Sequence, residues 1–228
     1  MQVIYRTLDD CSEVSGVVVV IDVIRAFTTA CFAFAAGAKD IIIASEVEEA
    51  LSLKRRYSGS LAMGEVGGAK VYDFDFGNSP SQFLDHDLNG IRLIQRTSAG
   101  TQGIVCARRA APLFAASFCC ASATVRYIRS LTPETVTFIN TGVLPDGKGT
   151  EDIACSEYMT ALLLEKRPNP EHYLERVRSS LNAQILDAAP FYAAFDVELC
   201  THLDRFDFAL KVDREDGQLV MRKVFPAG

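Results

Sequence analysis

Residues 17 to 37 read VVVVIDVIRAFTTACFAFAAG and combine a buried strand with a helix. Four valines and Ile21 form a continuous apolar, β-branched run, which is typical of a strand covered on both faces. Asp22 follows this strand, and Arg25 opens a segment that is helical until Gly37 ends it. Ligands of open α/β sheets bind beyond the carboxyl ends of the strands. This turn is therefore a candidate site for an anion and a metal ion.

The same turn also has a purely structural interpretation. An aspartate after a strand often caps the following helix, and the hydroxyls of Thr28 and Thr29 can bond to backbone groups. From Asp22 to Thr29, function and local structure explain the residue types about equally well.

Composition limits the class of protein. A chain of 228 residues with 49% hydrophobic residues can form one large domain, expected to span residues 1–228. The net charge is −6 and the basic residues are scattered, which argues against nucleic acid as a partner. No apolar run approaches the ~20 residues that a membrane span needs, and the first residues do not resemble a signal peptide.

The seven cysteines are odd in number, with no CxxC pair and no matching histidine spacing. This pattern favours reduced thiols, most of them small core residues, in a cytoplasmic protein.

Strand and helix patterns alternate along the chain, which predicts an α/β fold. Strands are expected near 17–21, 41–43, 61–63, 91–95, 113–118 and 135–139, and helices near 30–36, 46–57, 121–131, 150–166, 170–180 and 183–194. Segments 208–212 and 219–224 flank Asp-Arg-Glu-Asp-Gly and predict a β-hairpin. We expect a three-layer α/β/α fold around a largely parallel or mixed sheet, with this C-terminal β-hairpin.

Two glycine-rich segments point to a functional loop. Gly64-Glu65-Val66-Gly67-Gly68 and residues 73–80 together make a long loop that carries carboxylates, and loops of this length are uncommon unless functional. Residues 96–101, Arg-Thr-Ser-Ala-Gly-Thr, lie between a strand and a helix expected to reach residue 110. Their backbone N–H groups can approach an oxyanion, although the same residues also suit an ordinary capped turn.

Two adjacent acids begin the helix near residue 150. Thr150 is a suitable N-cap, which places Glu151 and Asp152 in the first turn. Acids in that position favour the helix dipole without any further function, so the helix alone does not establish a metal site.

Three phosphate-chemistry motifs are incomplete. Gly142-x4-Gly147-Lys148 has Gly149 where a P-loop needs Ser or Thr. Cys120 and Arg126 have the spacing of cysteine phosphatases, but the residues between them lack glycine and predict a helix. Asp22-x-Ile24 lacks the second aspartate of phosphoaspartate-forming phosphatases.

Taken together, the segments from about residue 20 to 155 resemble the 2-phosphosulfolactate phosphatases. The shared motifs occur in the family's order, and five ordered motifs are more specific than any one of them. They are Ile21-Asp22-Val23-Ile24-Arg25-Ala26-x-Thr28-Thr29, Gly64-Glu65-x-Gly67-Gly68, Phe76-Gly77-Asn78-Ser79-Pro80, Thr97-x-x-Gly100-Thr101 and Glu151-Asp152.

The resemblance implies a magnesium-dependent phosphatase that converts 2-phosphosulfolactate, or a related small phosphorylated 2-hydroxy acid, to sulfolactate and phosphate. Family members take part in coenzyme M biosynthesis in methanogens. Three positions depart from the family pattern: Phe27 stands where Thr is common, Val66 where Arg is common and Ala99 where Asn is frequent. The reaction class is therefore better supported than the substrate.

Hard carboxylate oxygens suit Mg²⁺, and charged or polar groups would hold the phosphate. The expected metal ligands are Asp22, Glu65, Glu151 and Asp152. The expected catalytic residues are Asp22, Arg25 and Asp152. The expected substrate-binding residues are Arg25, Thr28, Asn78, Ser79, Thr97, Ser98, Gly100 and Thr101.

One alternative is a non-catalytic binding domain for a phosphorylated metabolite. The acidic positions weigh against it, because several nearby carboxylates hinder the binding of an anion without a metal. A homodimer and a monomer both suit the composition.

Overall fold

The computed structural model describes residues 1–143, 148–188 and 195–226. These residues form ten strands and eight helices. The strands are β1 (Gln2–Arg6), β2 (Ser15–Ile21), β3 (Asp40–Ile43), β4 (Leu61–Val66), β5 (Ala69–Lys70), β6 (Arg92–Arg96), β7 (Arg109–Ala116), β8 (Thr135–Asn140), β9 (Ala209–Glu215) and β10 (Gln218–Val224). The helices are α1 (Ala26–Ala35), α2 (Val47–Arg56), α3 (Gly100–Cys106), α4 (Ala121–Ser130), α5 (Thr150–Leu163), α6 (Pro170–Arg178), α7 (Leu181–Ala188) and α8 (Asp196–Cys200).

The strands form one open mixed sheet in the order β1-β8-β2-β7-β9-β10-β3-β6-β4-β5. Strands β1, β8, β2 and β7 are parallel to one another, as are β3, β6 and β4. Between these two blocks lies the β9–β10 hairpin, which pairs antiparallel with β7 on one side and with β3 on the other. The predicted three-layer α/β/α fold, its mixed sheet and its C-terminal hairpin are confirmed.

The twist of the sheet brings the carboxyl ends of β2 and β6 together. The two strands belong to blocks of opposite direction, but five strand-to-strand steps separate them. Each strand is rotated by roughly 20–25° relative to its neighbour, so the strand direction turns by roughly 100–125° over the five steps from β2 to β6. This rotation offsets much of the difference in direction between the two blocks. Consistent with this convergence, Gln95 of β6 donates a hydrogen bond from Nε2 to the carbonyl of Ala26, at 2.9 Å.

Strand β2 and helix α1 form the centre of the core. Val18 to Ile21 are fully buried because β2 has a strand on each side and helices on its faces. Every residue of α1 from Ala26 to Phe34 is also buried. An α-helix this apolar on all sides must lie inside the protein, and it fixes the turn between Ile21 and Ala26.

Several predicted element boundaries are wrong. Helix α3 ends at Cys106 instead of reaching residue 110, because strand β7 already begins at Arg109. The N-cap of α5 is Gly149, in the left-handed conformation, and Thr150 is the first helical residue. Strand β1 was not predicted. Residues 189–194 of the expected 183–194 helix lie outside the described ranges.

The cysteine prediction is partly wrong. Cys11 and Cys106 form a disulfide that joins a short 3-10 helix before β2 to the last residue of α3. Their separation of 95 residues has no sequence signature. The other five cysteines are free and buried, as expected of small core residues. In the ranges described, no helix has the length and hydropathy of a membrane span.

Substitution of Gly64 on β4 tests how closely β4 and β6 must approach each other. Its φ is +135°, and a Cβ there would lie 1.8 Å from the Arg96 carbonyl oxygen. We expect Gly64→Ala to lower the free energy of unfolding by about 3 kcal/mol or more, because it adds backbone strain to a clash with a neighbouring strand. Gly59→Ala is the control: its φ is +81° but nothing lies within 4 Å, so about 1 kcal/mol should be lost. Equal losses in urea unfolding would contradict the close approach.

Candidate active site

Asp22 lies where β2 ends, and its side chain is only 5% exposed. Its Oδ1 accepts a hydrogen bond from the Ala26 amide at 2.9 Å, so it caps the start of α1. Burial raises the pKa of Asp22 to about 7; the negative charges of Glu65 and Glu151 add to this, and the N–H groups of Ala26 and Gly100 oppose it. Asp22 can therefore gain or lose a proton near neutral pH.

Asp152 joins two loops at the same edge of the sheet. Its Oδ1 accepts from the Val23 amide and its Oδ2 from the Gly142 amide, both at 2.8 Å. Burial raises the pKa of Asp152 well above its ordinary value, and the charges of Glu151 and Asp22 raise it further. The first turn of α5 thus faces the turn that follows β2.

Glu151 carries an oxygen without a partner. Its Oε1 accepts from the Asn182 side-chain amide at 2.5 Å. Its Oε2 is buried and has no hydrogen-bond partner among the described residues. Burial raises the pKa of Glu151 above the ordinary carboxyl value. A buried carboxylate oxygen of this kind needs a proton or a cation to compensate its charge.

Glu65 connects β4 to the loop after β6. Its Oε1 accepts from the Ser98 amide at 2.6 Å, and its Oε2 accepts from the Gly68 amide at 2.6 Å and the Ser98 hydroxyl at 3.1 Å. Arg96 reinforces the junction by donating from Nη1 to the Glu65 carbonyl at 2.9 Å. Glu65 is buried, and hydrogen bonds to its carboxylate and to its backbone carbonyl fix its orientation.

The loop of residues 97–101 is a tightly bonded turn in this structure. The Thr97 amide donates to the Thr101 hydroxyl at 2.8 Å, and the Thr101 amide donates to the Thr97 hydroxyl at 3.0 Å. The Ser98 amide is bonded to Glu65. Gly100 packs against Asp22 and Ala26, since a Cβ there would lie 2.7 Å from both Asp22 Oδ2 and Ala26 Cβ. The geometry is that of the capped turn, and phosphate binding by these groups stays a prediction.

Arg25 is buried and paired with an acid that sequence reasoning did not identify. Its Nη1 donates to Asp196 Oδ2 at 2.6 Å, with the two side chains 5% and 0% exposed. Asp196 Oδ1 accepts from the Ser81 amide at 3.1 Å. Asp196 begins the short helix α8, which was not predicted, and no motif in the sequence marks this residue.

The remaining predicted substrate-binding residues lie in the two segments that contact Asp196, the turn after β2 and the loop that contains Ser81. The Thr28 hydroxyl donates to the Val23 carbonyl at 2.8 Å, which closes the turn after β2. The hydroxyls of Ser79 and Ser81 are 3.0 Å apart. Asn78 is buried, and its Oδ1 has no partner in the described part of the chain. Asn78 therefore keeps an unused acceptor next to the residues that contact Asp196.

The three departures from the family pattern occupy different environments. Phe27 is fully buried in α1 and belongs to the core. Val66, at the end of β4, is 46% exposed. Ala99 is the N-cap of α3, where its methyl group offers no capping bond. Only the positions of Val66 and Ala99 can alter what the site presents to a ligand.

A metal ion would have to use few protein ligands here. Over residues 1–143, 148–188 and 195–226, no group of three or more His, Cys, Asp and Glu side chains is arranged to hold one. The acids nevertheless interact electrostatically. The charges of Glu65 and Glu151 raise the pKa of Asp22, and those of Glu151 and Asp22 raise the pKa of Asp152. Clustered buried acids with one unpartnered oxygen have the chemistry of a site for a hard cation.

Comparison with known proteins shows the family. The family model described as 2-phosphosulpholactate phosphatase matches residues 4–215. A probable 2-phosphosulfolactate phosphatase of Bacillus subtilis (strain 168) is 32% identical over 204 residues, which cover 88% of each chain. One of Carboxydothermus hydrogenoformans is 34% identical over 221 residues, covering 90% of this chain and 89% of that protein. The chain belongs to the 2-phosphosulpholactate phosphatase family and is a phosphoric monoester hydrolase.

Proposed function

We propose that this enzyme hydrolyses 2-phosphosulfolactate, or a related small phosphorylated 2-hydroxy acid, with the help of Mg²⁺. The family and its named relatives support the substrate class. The observation that supports a magnesium requirement is the cluster of buried acids around Asp22, because these carboxylates, when ionised, repel an anionic phosphate unless a cation compensates their charge. The same cluster argues against the alternative of a binding domain that works without metal.

The residues present fit magnesium. Mg²⁺ keeps several waters and is commonly bound by one or two carboxylates together with substrate phosphate, so a cage of three protein ligands is not required. Asp22 and the unpartnered Oε2 of Glu151 would hold it. Both oxygens of Asp152 and of Glu65 already accept backbone N–H bonds, so these residues would bind the ion through their remaining lone pairs or orient its waters.

Different side chains of the protein would bind the phosphoryl group, orient the attacking water and accept its proton. Mg²⁺, when bound, would neutralise charge on the phosphoryl oxygens. Arg25 would hold a phosphoryl oxygen by a charge-assisted bond. The carboxylates of Asp22 and Asp152 would orient the attacking water and take its proton. Thr28, Asn78, Ser79 and the turn of residues 97–101 would line the substrate's side of the site.

The finer identity of the substrate rests on the resemblance. Without a guanidinium at residue 66 and an amide at residue 99, the site offers fewer contacts to a sulfonate or carboxylate than the family pattern does. Preference for a less charged phosphorylated 2-hydroxy acid would follow from that loss. A role in coenzyme M biosynthesis, a cytoplasmic location and a homodimer stay predictions.

Phosphate release tests the proposed reaction. We expect release from phosphosulfolactate, phospholactate or phosphoglycolate in the presence of Mg²⁺ and none with excess chelator. Asp22→Asn should lower kcat by about 100-fold or more, since it removes a charge that the transition state uses. Asp207→Asn, an exposed acid-to-amide change, is the matched control and should leave kcat unchanged.

Two results would contradict this assignment. One is chelator-resistant phosphate release by the wild-type enzyme. The other is an active, Mg²⁺-dependent Asp22→Asn variant that retains the wild-type circular dichroism spectrum.

The titration of Asp22 should be visible in thermal unfolding without metal. Its pKa is about 7 in the folded protein and 3.8 as the ordinary value, so its contribution to stability is full below pH 3.8 and is lost as pH rises through 7. Between pH 6 and pH 8.5 the loss should be about 1 kcal/mol, or roughly 2–4 °C in Tm. Asp22→Asn should decline less over this range, and Mg²⁺ should raise the wild-type Tm most at the higher pH. Parallel declines in the two proteins would refute the raised pKa.

A further inference from the structure

Asp196 connects three segments of the site through one carboxyl group. Its Oδ2 accepts from Arg25 Nη1 at 2.6 Å, and its Oδ1 accepts from the Ser81 amide at 3.1 Å. The side chain is fully buried at the start of α8, which packs against the 3-10 helix Pro80–Phe83. The turn after β2 and the Asn78–Ser81 loop are therefore held at a fixed separation by one carboxylate.

A buried ion pair of this kind is better suited to fixing geometry than to adding stability. Taking a carboxylate and a guanidinium out of water has a desolvation cost that cancels much of their attraction. A guanidinium is planar and carries its donors in a fixed fork, so a carboxylate that holds one of its nitrogens restricts where the other donors can point. Asp196 thus holds one end of the Arg25 guanidinium, and its other oxygen fixes the position of the Ser81 amide relative to that group.

We propose that Asp196 is a positioning residue for the phosphatase reaction, acting through Arg25 and the Ser79–Ser81 segment. This inference rests on the proposed function, in which Arg25 holds a phosphoryl oxygen. Asp196 itself does not touch the substrate. Its role is to hold Arg25 in the orientation that matches the transferred phosphoryl group, and to keep the hydroxyl of Ser79 and the amide of Asn78 at the distance that the same group requires.

The chain offers a matched control for the loss of a buried ion pair. Asp40 is also fully buried, and it accepts from Arg92 Nε and Nη2, both at 2.7 Å. It begins β3, at the end of that strand away from its carboxyl edge. Arg222 Nη2 lies 3.7 Å from the same carboxylate. Asp40→Asn and Asp196→Asn therefore each remove a fully buried carboxylate that pairs with arginine, but only Asp196 lies beside the site.

Steady-state kinetics of phospholactate and phosphosulfolactate hydrolysis with Mg²⁺ would separate positioning from stability. Asp196→Asn should lower kcat/KM by about 100-fold, the effect expected when a catalytic group is misplaced by about 1 Å. Asp196→Glu should recover part of the loss, because it restores the charge at a longer reach. Asp40→Asn should lower Tm but keep kcat/KM within about threefold of wild type. Wild-type kcat/KM in Asp196→Asn, or equal losses in both Asn variants, would overturn the proposal.

Chemical rescue provides a readout that a structural role would not move. Arg25→Ala leaves a space next to the Asp196 carboxylate, and added guanidinium chloride at low concentration should restore part of the activity there. The double variant Arg25→Ala with Asp196→Asn should not respond. Equal rescue of the two variants would show that Asp196 does not orient the guanidinium.

Calorimetric measurement of inorganic phosphate binding tests the role of Asp196 independently of the proposed reaction. If the wild-type enzyme binds phosphate but hydrolyses none of the esters, the proposed function fails while the inference is still decided by calorimetry. About a tenfold weaker phosphate Kd in Asp196→Asn, with an unchanged Kd in Asp40→Asn, would support positioning. Equal Kd values, or no phosphate binding by the wild type, would overturn it.

Discussion

Hydrogen bonds from backbone amides to buried carboxylates hold the loops of this site together. Asp22 accepts from the start of α1, Glu65 from the loop after β6, and Asp152 from the turns after β2 and β8. Each bond offsets part of the cost of burying a charge. The architecture therefore depends on the same groups that its chemistry would use, and a change at any of these acids alters loop geometry and charge together.

The sequence predicts the centre of this fold well and its long-range pairings poorly. The β-branched run from Val17 to Ile21 and the apolar helix after it are local patterns, so β2, α1 and the position of Asp22 follow from them directly. The hairpin also has a local turn signal. By contrast, Asp196 lies 171 residues from Arg25, and Cys11 lies 95 residues from Cys106. No periodicity or turn chemistry encodes such contacts, since they join residues that are far apart in the sequence.

The acidic residues show why residue type alone does not distinguish a metal ligand from a residue that holds loops together. Glu65 and Asp152 were expected as metal ligands, and the structure shows that both also tie loops through backbone N–H groups. Likewise, Thr97 and Thr101 suit either an anion site or a capped turn, and they bond to each other. In this site the side chains that hold the loops together are the same ones that would bind the metal ion or the phosphate. Each of these residues therefore combines a structural role with a proposed chemical one. Substitution at Val66 or Ala99 leaves that arrangement intact, because neither side chain takes part in it.

The position of the β9–β10 hairpin has a consequence for how the protein is made. These two strands follow every other strand in the sequence, yet they occupy the middle of the sheet. While the chain is being synthesised, β7 and β3 present edges whose N–H and C=O groups have no partner strand until the hairpin leaves the ribosome. The two parallel blocks cannot take up their relative orientation before then. Folding of the catalytic edge is therefore completed only after the hairpin has been synthesised, and the nascent chain must be protected from aggregation through those edges until then.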